Sequence, residues 1–451
     1  MLPVWHIFSE CSSAYVSDDP GSAVRLQRQR QLHTLRRHST ALRAPFVAIA
    51  RQRIRLPQGA WRSAAGSLTK GDLWDGDDIA RLEREFAAYI GTEDAVTVPS
   101  GRAGFRFLFD SLQLEPGAEV ICSAFGYPVV PYLIKSLGYK VKFVDCEMQT
   151  LGMDPNQLAA AISQDTGAVI GTHLYGVPCQ IDRIAASADA SGAALIEDCA
   201  HCYGAAVGDR KVGSFGVAGC FSFETSKVIN TMGGGVVTVY KKELGDRIRD
   251  LAGKEPRNGM KWLGKRLATT TFESLVTNPL LFNLGVYQAL RLAPKGEDNE
   301  RFASGYHGDE VSMSGKMGRY TNYQAGLGLK GMRSVGEVVA RRKANAERLI
   351  TNLDDIIKFQ KPAGPDVFAN YMLVTAIVPN LLALSDRLLK NGIDTKHLYM
   401  RDCSRMLDAP SAFPNAERAE KEVLHIPAHP HMSFAQIDAM SATIRRIVET
   451  A

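Results

Sequence analysis

Four features of the sequence carry residue types that could do chemistry. A glycine-containing turn, Ser100-Gly101-Arg102-Ala103-Gly104, follows a short apolar run, and the backbone N–H groups of such a strand-to-helix turn suit a phosphate. Asp198 ends an apolar run, Lys227 follows a polar turn, and Tyr127 lies in a Gly-Tyr-Pro turn. Each feature also has an ordinary structural explanation: a tight turn, a helix cap, a solvated lysine and a packed aromatic ring.

Taken together, the four features fit one cofactor, pyridoxal phosphate. This cofactor needs a lysine amine that binds its aldehyde, a carboxylate that keeps its pyridine nitrogen protonated, a phosphate-binding turn and an aromatic ring to stack on. Lys227, Asp198, the turn at Gly101 and Tyr127 match these needs in turn. The carboxylate matters because a protonated ring nitrogen lets the ring accept electrons from the substrate carbon.

Alternating strands and helices between residues 77 and 240 must position these features. Short apolar runs alternate there with helical periodicity, which predicts an α/β fold with a largely parallel sheet covered on both faces. Ligands of such sheets collect at the carboxyl ends of the strands. Ser100, Asp145, His173 and Asp198 all follow predicted strand ends, so a site is expected at this edge.

Charge and pattern divide the chain into four segments. Residues 1–70 carry eleven Lys and Arg against three Asp and Glu, although the whole chain has a net charge of only +5. We predict a basic, poorly ordered N-terminal extension over 1–70, a large cofactor-binding domain over 71–253, an insertion with an apolar helical segment over 254–310, and a connecting helix with a small C-terminal domain over 311–451. Since the basic excess belongs to the extension, no nucleic-acid partner is expected.

The cysteines predict reduced thiols in a cytoplasmic protein. Eight are scattered along the 451 residues without the paired spacing of a disulfide scaffold. Cys199 and Cys202 form a C-x-x-C pair, but a structural zinc site needs a second such pair. We therefore interpret them as core thiols and predict no metal.

The apolar stretch 275–292 allows two interpretations. It is short and polar-interrupted for a membrane span, which needs about 20 apolar residues. Pro279 suits the first turn of a helix, so a helix is predicted from about Pro279 to Leu292. Buried packing is the simpler expectation, and the alternative is contact with a membrane surface, because basic residues flank the stretch.

The chain resembles the pyridoxal-phosphate-dependent nucleotide-sugar aminotransferases of the DegT–StrS type, over about residues 71–250 and 311–451. The resemblance implies the aspartate-aminotransferase-like architecture (fold type I), with a large domain built on a mostly parallel sheet and a smaller C-terminal α/β domain. Seven ordered segments carry it: Ser100-Gly-Arg-Ala, Leu137-Gly-Tyr-Lys-Val-Lys-Phe-Val-Asp145, Thr172-His-Leu-Tyr-Gly176, Ile196-Glu-Asp-Cys-Ala-His201, Lys211-Val-Gly-Ser-Phe-Gly216, Cys220-Phe-Ser-Phe223, and Lys227 before Gly234-Gly235.

The resemblance implies a role for each residue around the cofactor ring. Lys227 binds the cofactor covalently and moves the proton between cofactor and substrate carbon. Asp198 pairs with the pyridine nitrogen, and Tyr127 stacks on the ring. His201 stands where the family often has Gln, beside the ring hydroxyl.

The resemblance also implies a phosphate site and a substrate contact. The amides of Gly101 and Arg102, with the hydroxyl of Ser222, hold the phosphate, and Arg319 contacts the substrate. Arg102 replaces the usual Thr or Ser, and Met317 replaces an Asn of the family pattern, which affects a loop expected at the cofactor or the neighbouring subunit.

The resulting functional hypothesis is an aminotransferase that moves an amino group from glutamate to a nucleotide-linked keto-sugar, in polysaccharide or secondary-metabolite biosynthesis. A homodimer with shared active sites is expected. The first alternative is an aminotransferase acting on a cyclitol or another cyclic ketone. The second is a non-catalytic regulator that binds the cofactor, and Lys227 argues against it, as it does against the dehydratase branch of the family, where His replaces the lysine.

Overall fold

A seven-stranded sheet forms the centre of the large domain. The structure is a computed structural model that describes residues 47–292, 318–409 and 411–450. The strands of the described residues are, in chain order, β1 (Asp94–Val98), β2 (Glu119–Ser123), β3 (Phe125–Gly126), β4 (Lys140–Val144), β5 (Thr166–Thr172), β6 (Ala194–Asp198), β7 (Ala206–Val207), β8 (Arg210–Lys211), β9 (Ala218–Ser222), β10 (Gly235–Val239), β11 (Lys358–Phe359), β12 (Val367–Phe368), β13 (Val374–Ile377), β14 (Arg401–Asp402) and β15 (Val423–Ile426).

The order of the large sheet is β1-β10-β9-β6-β5-β2-β4. Only β10 runs against the others, since it pairs antiparallel with both β1 and β9 while the remaining pairs are parallel. The carboxyl ends of β1, β5, β6 and β9 therefore meet at one edge. This arrangement confirms the predicted α/β fold with a mostly parallel sheet.

Helices cover both faces of this sheet. On β2, Val120 and Cys122 pack in the same core cluster as Leu108, whereas Ile121 packs with Ile184 on the opposite side. This is the period-two alternation of a strand buried on both faces. The helices of at least seven residues before the break at 293 are Ala60–Lys70, Asp77–Ile90, Gly101–Leu112, Val129–Ser136, Pro155–Ala161, Ile181–Ser191, Lys242–Gly253 and Met260–Val276.

The C-terminal part has its own sheet and core. The long helix Asn322–Leu353 begins with a capping box at Thr321 and leads into an antiparallel sheet of order β11-β13-β15. Side chains of this helix, of the sheet and of the two helices Leu381–Lys390 and Phe434–Glu449 share one apolar cluster. Shorter helices lie at Cys403–Met406 and Pro414–Glu422.

Residues 47–70 pack against the rest of the chain, which differs from the predicted boundary at residue 70. The Ile49 N–H donates to Gly392 O, and the Arg51 guanidinium lies 2.6 Å from the Asp394 carboxylate. Ala60 is buried in a cluster with Leu263. The predicted boundary is too late because a run of arginines usually indicates a solvated segment, whereas these arginines contact residues far along the chain. Residues 1–46 lie outside the described residues.

The described part of the insertion, 254–292, is helical and only partly buried. A helix begins at Pro279 with Asn278 as its cap and continues through a π-helical turn at Phe282–Val286 to Leu292, which confirms the predicted helix. Phe282 and Tyr287 are buried. The large apolar side chains that remain exposed here are Met260, Phe272, Leu275, Leu280, Leu281, Leu284 and Leu292.

Within the single chain, the expected buried packing is therefore found on one side of this segment and not on the other. Among the described residues, no helix combines the length and the hydrophobicity needed to cross a membrane. Contact of 275–292 with a membrane surface stays a prediction, and residues 293–310 of the insertion lie outside the described residues.

Candidate active site

A cavity of about 540 Å³ opens at the carboxyl ends of β1, β5, β6 and β9. It lies at the sheet edge where parallel α/β folds place their ligands. Seven of the residues singled out in the sequence line it: Gly101, Arg102, Tyr127, Asp198, His201, Ser222 and Lys227.

One end of the cavity is built for an anion. The helix Gly101–Leu112 starts there, capped by Ser100, whose hydroxyl accepts the Ala103 N–H at 3.1 Å. The first N–H groups of a helix have no intrahelical acceptor and carry partial positive charge. A Cβ on Gly101 would lie 3.4 Å from the Ser222 Cβ, so the turn and Ser222 are close enough to share one phosphate.

Asp198 supplies a buried carboxylate to the same cavity. Its Oδ1 accepts the Ala200 N–H at 3.0 Å. Burial raises the pKa of Asp198 above its ordinary value, although the Ala200 N–H, Lys227 and His173 act in the opposite direction. Such a carboxylate is stabilised by a cationic N–H partner, which a protonated pyridine nitrogen would be.

The preceding residue, Glu197, serves the structure rather than the cavity. Its carboxylate accepts the N–H groups of Gly213, Phe215 and Gly216 at 2.6–3.0 Å and lies 3.1 Å from His173 Nε2. The segment Lys211-Val-Gly-Ser-Phe-Gly216 is thus tied to β6. His173, Glu197 and Cys199 are residue types that bind metals and lie together, but the Glu197 oxygens are already engaged by these donors.

The pair Cys199 and Cys202 lies in the core beside this strand. Both thiols are buried, and burial raises the pKa of each well above its ordinary value. Metal binding and redox exchange need the thiolate, so this environment favours core thiols.

Lys227 is held by a residue that the sequence did not indicate, Tyr399. The Lys227 Nζ donates to the Tyr399 Oη at 3.0 Å, and the Lys396 Nζ lies 3.7 Å from the centre of the same ring. Burial alone would raise the pKa of Tyr399, but Lys227 and Lys396 together lower it below its ordinary value. The two amines therefore favour the ionised form of the Tyr399 oxygen, and in either form this oxygen can accept the hydrogen bond from the lysine amine.

His201 completes this group. Its Nδ1 accepts the Tyr175 N–H at 3.1 Å, and burial, followed by the charges of Lys227 and Lys396, lowers its pKa well below the ordinary value. A neutral imidazole whose Nδ1 accepts must carry its proton on Nε2. His201 Nε2 therefore donates to the Tyr399 Oη at 3.3 Å. The same oxygen accepts the hydrogen bond from the Lys227 amine.

Tyr127 and Arg319 are placed differently with respect to the cavity. Tyr127 lines it and packs partly against the core. Arg319 is not a lining residue of its own chain's cavity; its N–H donates to Pro256 O and its carbonyl accepts from Asn258. Its neighbour Gly318 does line the cavity, and Met317 lies outside the described residues.

Replacing Tyr399 with phenylalanine is expected to lower kcat by about tenfold to a hundredfold, the worth of a hydrogen bond to a charged group. Cofactor content should be unchanged, because the ring and its packing remain. Tyr132→Phe is the matched control, since that hydroxyl bonds Met406 O outside the cavity. Steady-state kinetics of both variants decide it, and a kcat for Tyr399→Phe within twofold of wild type contradicts the assigned contact.

The fold and the site together define the class of the protein, a pyridoxal-phosphate-dependent aminotransferase. The chain belongs to the DegT/DnrJ/EryC1/StrS aminotransferase family, whose model matches residues 60–445. In structure it is similar to S. venezuelae DesV, with a TM-score of 0.67 and 24% identity, covering 86% of this chain and 94% of that one. This similarity confirms the fold type.

The chain has sequence relatives among polysaccharide-biosynthesis proteins and aminotransferases. The spore coat polysaccharide biosynthesis protein SpsC of Bacillus subtilis is 28% identical over 85% of this chain and 93% of its own length. A UDP-N-acetyl-3-dehydro-alpha-D-glucosamine 3-aminotransferase of Acidithiobacillus ferrooxidans is 35% identical over 42% of this chain and half of its own. An L-glutamine:2-deoxy-scyllo-inosose aminotransferase of Streptoalloteichus tenebrarius is 37% identical over 38% and 40%. By its family the chain is an aminotransferase.

Proposed function

We propose that the protein transfers an amino group from glutamate to a keto-sugar linked to a nucleotide. The observation that carries this proposal is the position of Lys227 between two cavities. The first is the cofactor cavity, and the second, of about 770 Å³, is also lined by Lys227. Its size is in the upper part of the range for small-molecule sites, about 300–1,000 Å³, and suits a ligand larger than one sugar ring.

The residues of the first cavity fit pyridoxal phosphate. The amides of Gly101 and Arg102 and the Ser222 hydroxyl would hold its phosphate, and Asp198 would pair with its pyridine nitrogen. Tyr127 would stack on its ring, and Lys227 would bind it covalently. When bound, the cofactor supplies a ring that accepts electrons from the substrate carbon.

The protons are moved by the chain's own groups. Lys227 Nζ takes a proton from the carbon of the amino donor and returns one to the carbon of the acceptor, which is general acid–base catalysis by one positioned amine. The Tyr399 hydroxyl, 3.0 Å away, orients that amine. His201 donates through Nε2–H to the same Tyr399 hydroxyl. The contact of His201 with the hydroxyl of the cofactor ring stays a prediction.

The name and coverage of SpsC support a role in polysaccharide biosynthesis. The relative that acts on 2-deoxy-scyllo-inosose supports a cyclitol as the second candidate acceptor. The homodimer with shared active sites, the contact of Arg319 with the substrate, and the cytoplasmic location stay predictions.

The test uses the two halves of the reaction separately. Glutamate added to the purified holoenzyme should convert the cofactor to its amino form, seen as a change in its absorbance spectrum. Nucleotide-linked keto-sugars and 2-deoxy-scyllo-inosose are then offered to the aminated enzyme, and the products are identified by mass spectrometry. Amination of the cyclitol alone contradicts the proposed acceptor, and no spectral change with glutamate contradicts the proposed donor.

A further inference from the structure

The second cavity beside Lys227 has cationic walls. Among the described residues that line it there is no Asp or Glu. The lysines and arginines that line it are Arg51, Arg53, Arg55, Lys227, Lys330 and Arg342. A pocket of one sign of charge attracts ligands of the opposite sign.

Within the part of the chain that the structure describes, most of these cations have no carboxylate to neutralise them. Arg51 is paired with Asp394, but Arg53 donates only to neutral acceptors, Ser274 O and the Thr277 hydroxyl. Arg342 donates through Nη1 to Met372 O at 2.9 Å, while its Nε is buried and has no hydrogen-bond partner among the described residues. A buried donor without a partner is costly unless a ligand satisfies it.

Two histidines on the same wall show where the charges converge. Burial, together with the charges of His431, Arg342, Arg53 and Arg55, lowers the pKa of His429 to about 3. Burial, followed by the charges of the same three arginines, lowers the pKa of His431 to about 4. Three guanidinium groups therefore act on one region, and both imidazoles are neutral at neutral pH.

The segment that carries two of these arginines is fixed beside the catalytic lysine. The Arg55 carbonyl accepts from Asn230 Nδ2 at 2.9 Å, three residues after Lys227. The Ile54 N–H donates to the Thr277 hydroxyl at 3.2 Å. Both arginines precede residue 60, where the match to the family model begins.

We propose that Arg53, Arg55 and Arg342 bind the diphosphate of the nucleotide-linked substrate in this cavity. The inference rests on the proposed function and adds the residues that recognise the substrate. Guanidinium groups bind phosphate oxygens bidentately, and a diphosphate carries enough charge to satisfy several of them. A neutral cyclitol has no negatively charged group for these arginines to bind, so the cavity favours the nucleotide-linked acceptor.

The test measures binding of inorganic pyrophosphate to the holoenzyme by calorimetry, with the cofactor's own phosphate site filled. Arg55→Gln and Arg342→Gln are each expected to weaken binding by about tenfold, the worth of one charge-assisted hydrogen bond. Arg333→Gln is the matched control, because Arg333 is exposed on the same helix as Arg342 and does not line the cavity. It should bind like wild type.

Arg55 is exposed, so Arg55→Gln keeps the test valid even if Arg342→Gln unfolds. Equal pyrophosphate affinity in Arg55→Gln and wild type overturns the diphosphate site. Turnover of nucleotide-linked keto-sugars is measured separately and tests the proposed function. A tenfold slower reaction of Arg55→Gln with glutamate also overturns it, because the arginines would then bind the donor's carboxylates. Turnover of a cyclitol alone overturns the proposed function instead, whatever the affinity for pyrophosphate.

Discussion

Replacing Lys227 with alanine is expected to abolish transamination and the covalent attachment of the cofactor. The loss of turnover should be about 10⁴-fold or more, since proton transfer by one positioned group is alone worth about 10²–10⁴ and covalent catalysis is lost as well. The measurement is the visible absorbance of the lysine-bound cofactor together with the rate of the reaction with glutamate. Cofactor held only by Asp198 and the phosphate site should be removed by dialysis.

Lys396 is the control for this assignment. It lies beside the same tyrosine ring, and its pKa is lowered by burial and by Lys227, although Tyr399 opposes the shift. A less basic amine is a better nucleophile at neutral pH, so Lys396 is a competitor for the cofactor. Borohydride reduction of the wild-type holoenzyme followed by peptide mapping should label Lys227, and Lys396→Ala should leave that label in place. A label on Lys396 in the wild type overturns the assignment.

The part of the site that follows strand ends could be predicted from the sequence. Ser100, Asp198 and Ser222 each end or follow a strand, and parallel strands bring their carboxyl ends to one edge whatever the loops do. Lys227 was predictable because its spacing from these positions resembles a known family. For Ser100, Asp198 and Ser222, local pattern and strand direction are enough to predict the position at the site.

Two other parts of the site could not be predicted, because contacts between distant residues create them. Tyr399 meets Lys227 across 172 residues, and it follows Leu398, whose φ of 54° is rare for a residue with a branched side chain. No local sequence pattern predicts the turn at Leu398. Residues 51–58 appeared to be part of a solvated basic extension, and only their contacts with Asp394, Thr277 and Asn230 place them at a cavity wall.

The second large effect is expected at Asp198, because we propose that its charge keeps the pyridine nitrogen of the cofactor protonated. The carboxylate is buried at the end of β6, where an ionic interaction is weakened little by solvent. Asparagine has the same shape and can still accept the Ala200 N–H, so binding and local structure should be kept. The substitution removes only the negative charge, which in the proposed role would keep the pyridine nitrogen protonated.

Asp198→Asn is therefore expected to bind the cofactor and to lose about 10²–10³-fold in kcat, the size typical of removing one buried electrostatic contact to a reacting centre. Cofactor content and single-turnover rates with glutamate measure the two effects separately. Asp145→Asn is the matched control: Asp145 also follows a strand end and is buried, but it accepts from the Asn415 and Ala416 N–H groups outside the cavity. That variant should lose stability and keep its turnover per bound cofactor. Near-normal turnover of Asp198→Asn would mean that Asp198 only caps the turn after β6, and the role of its charge would have to be given up.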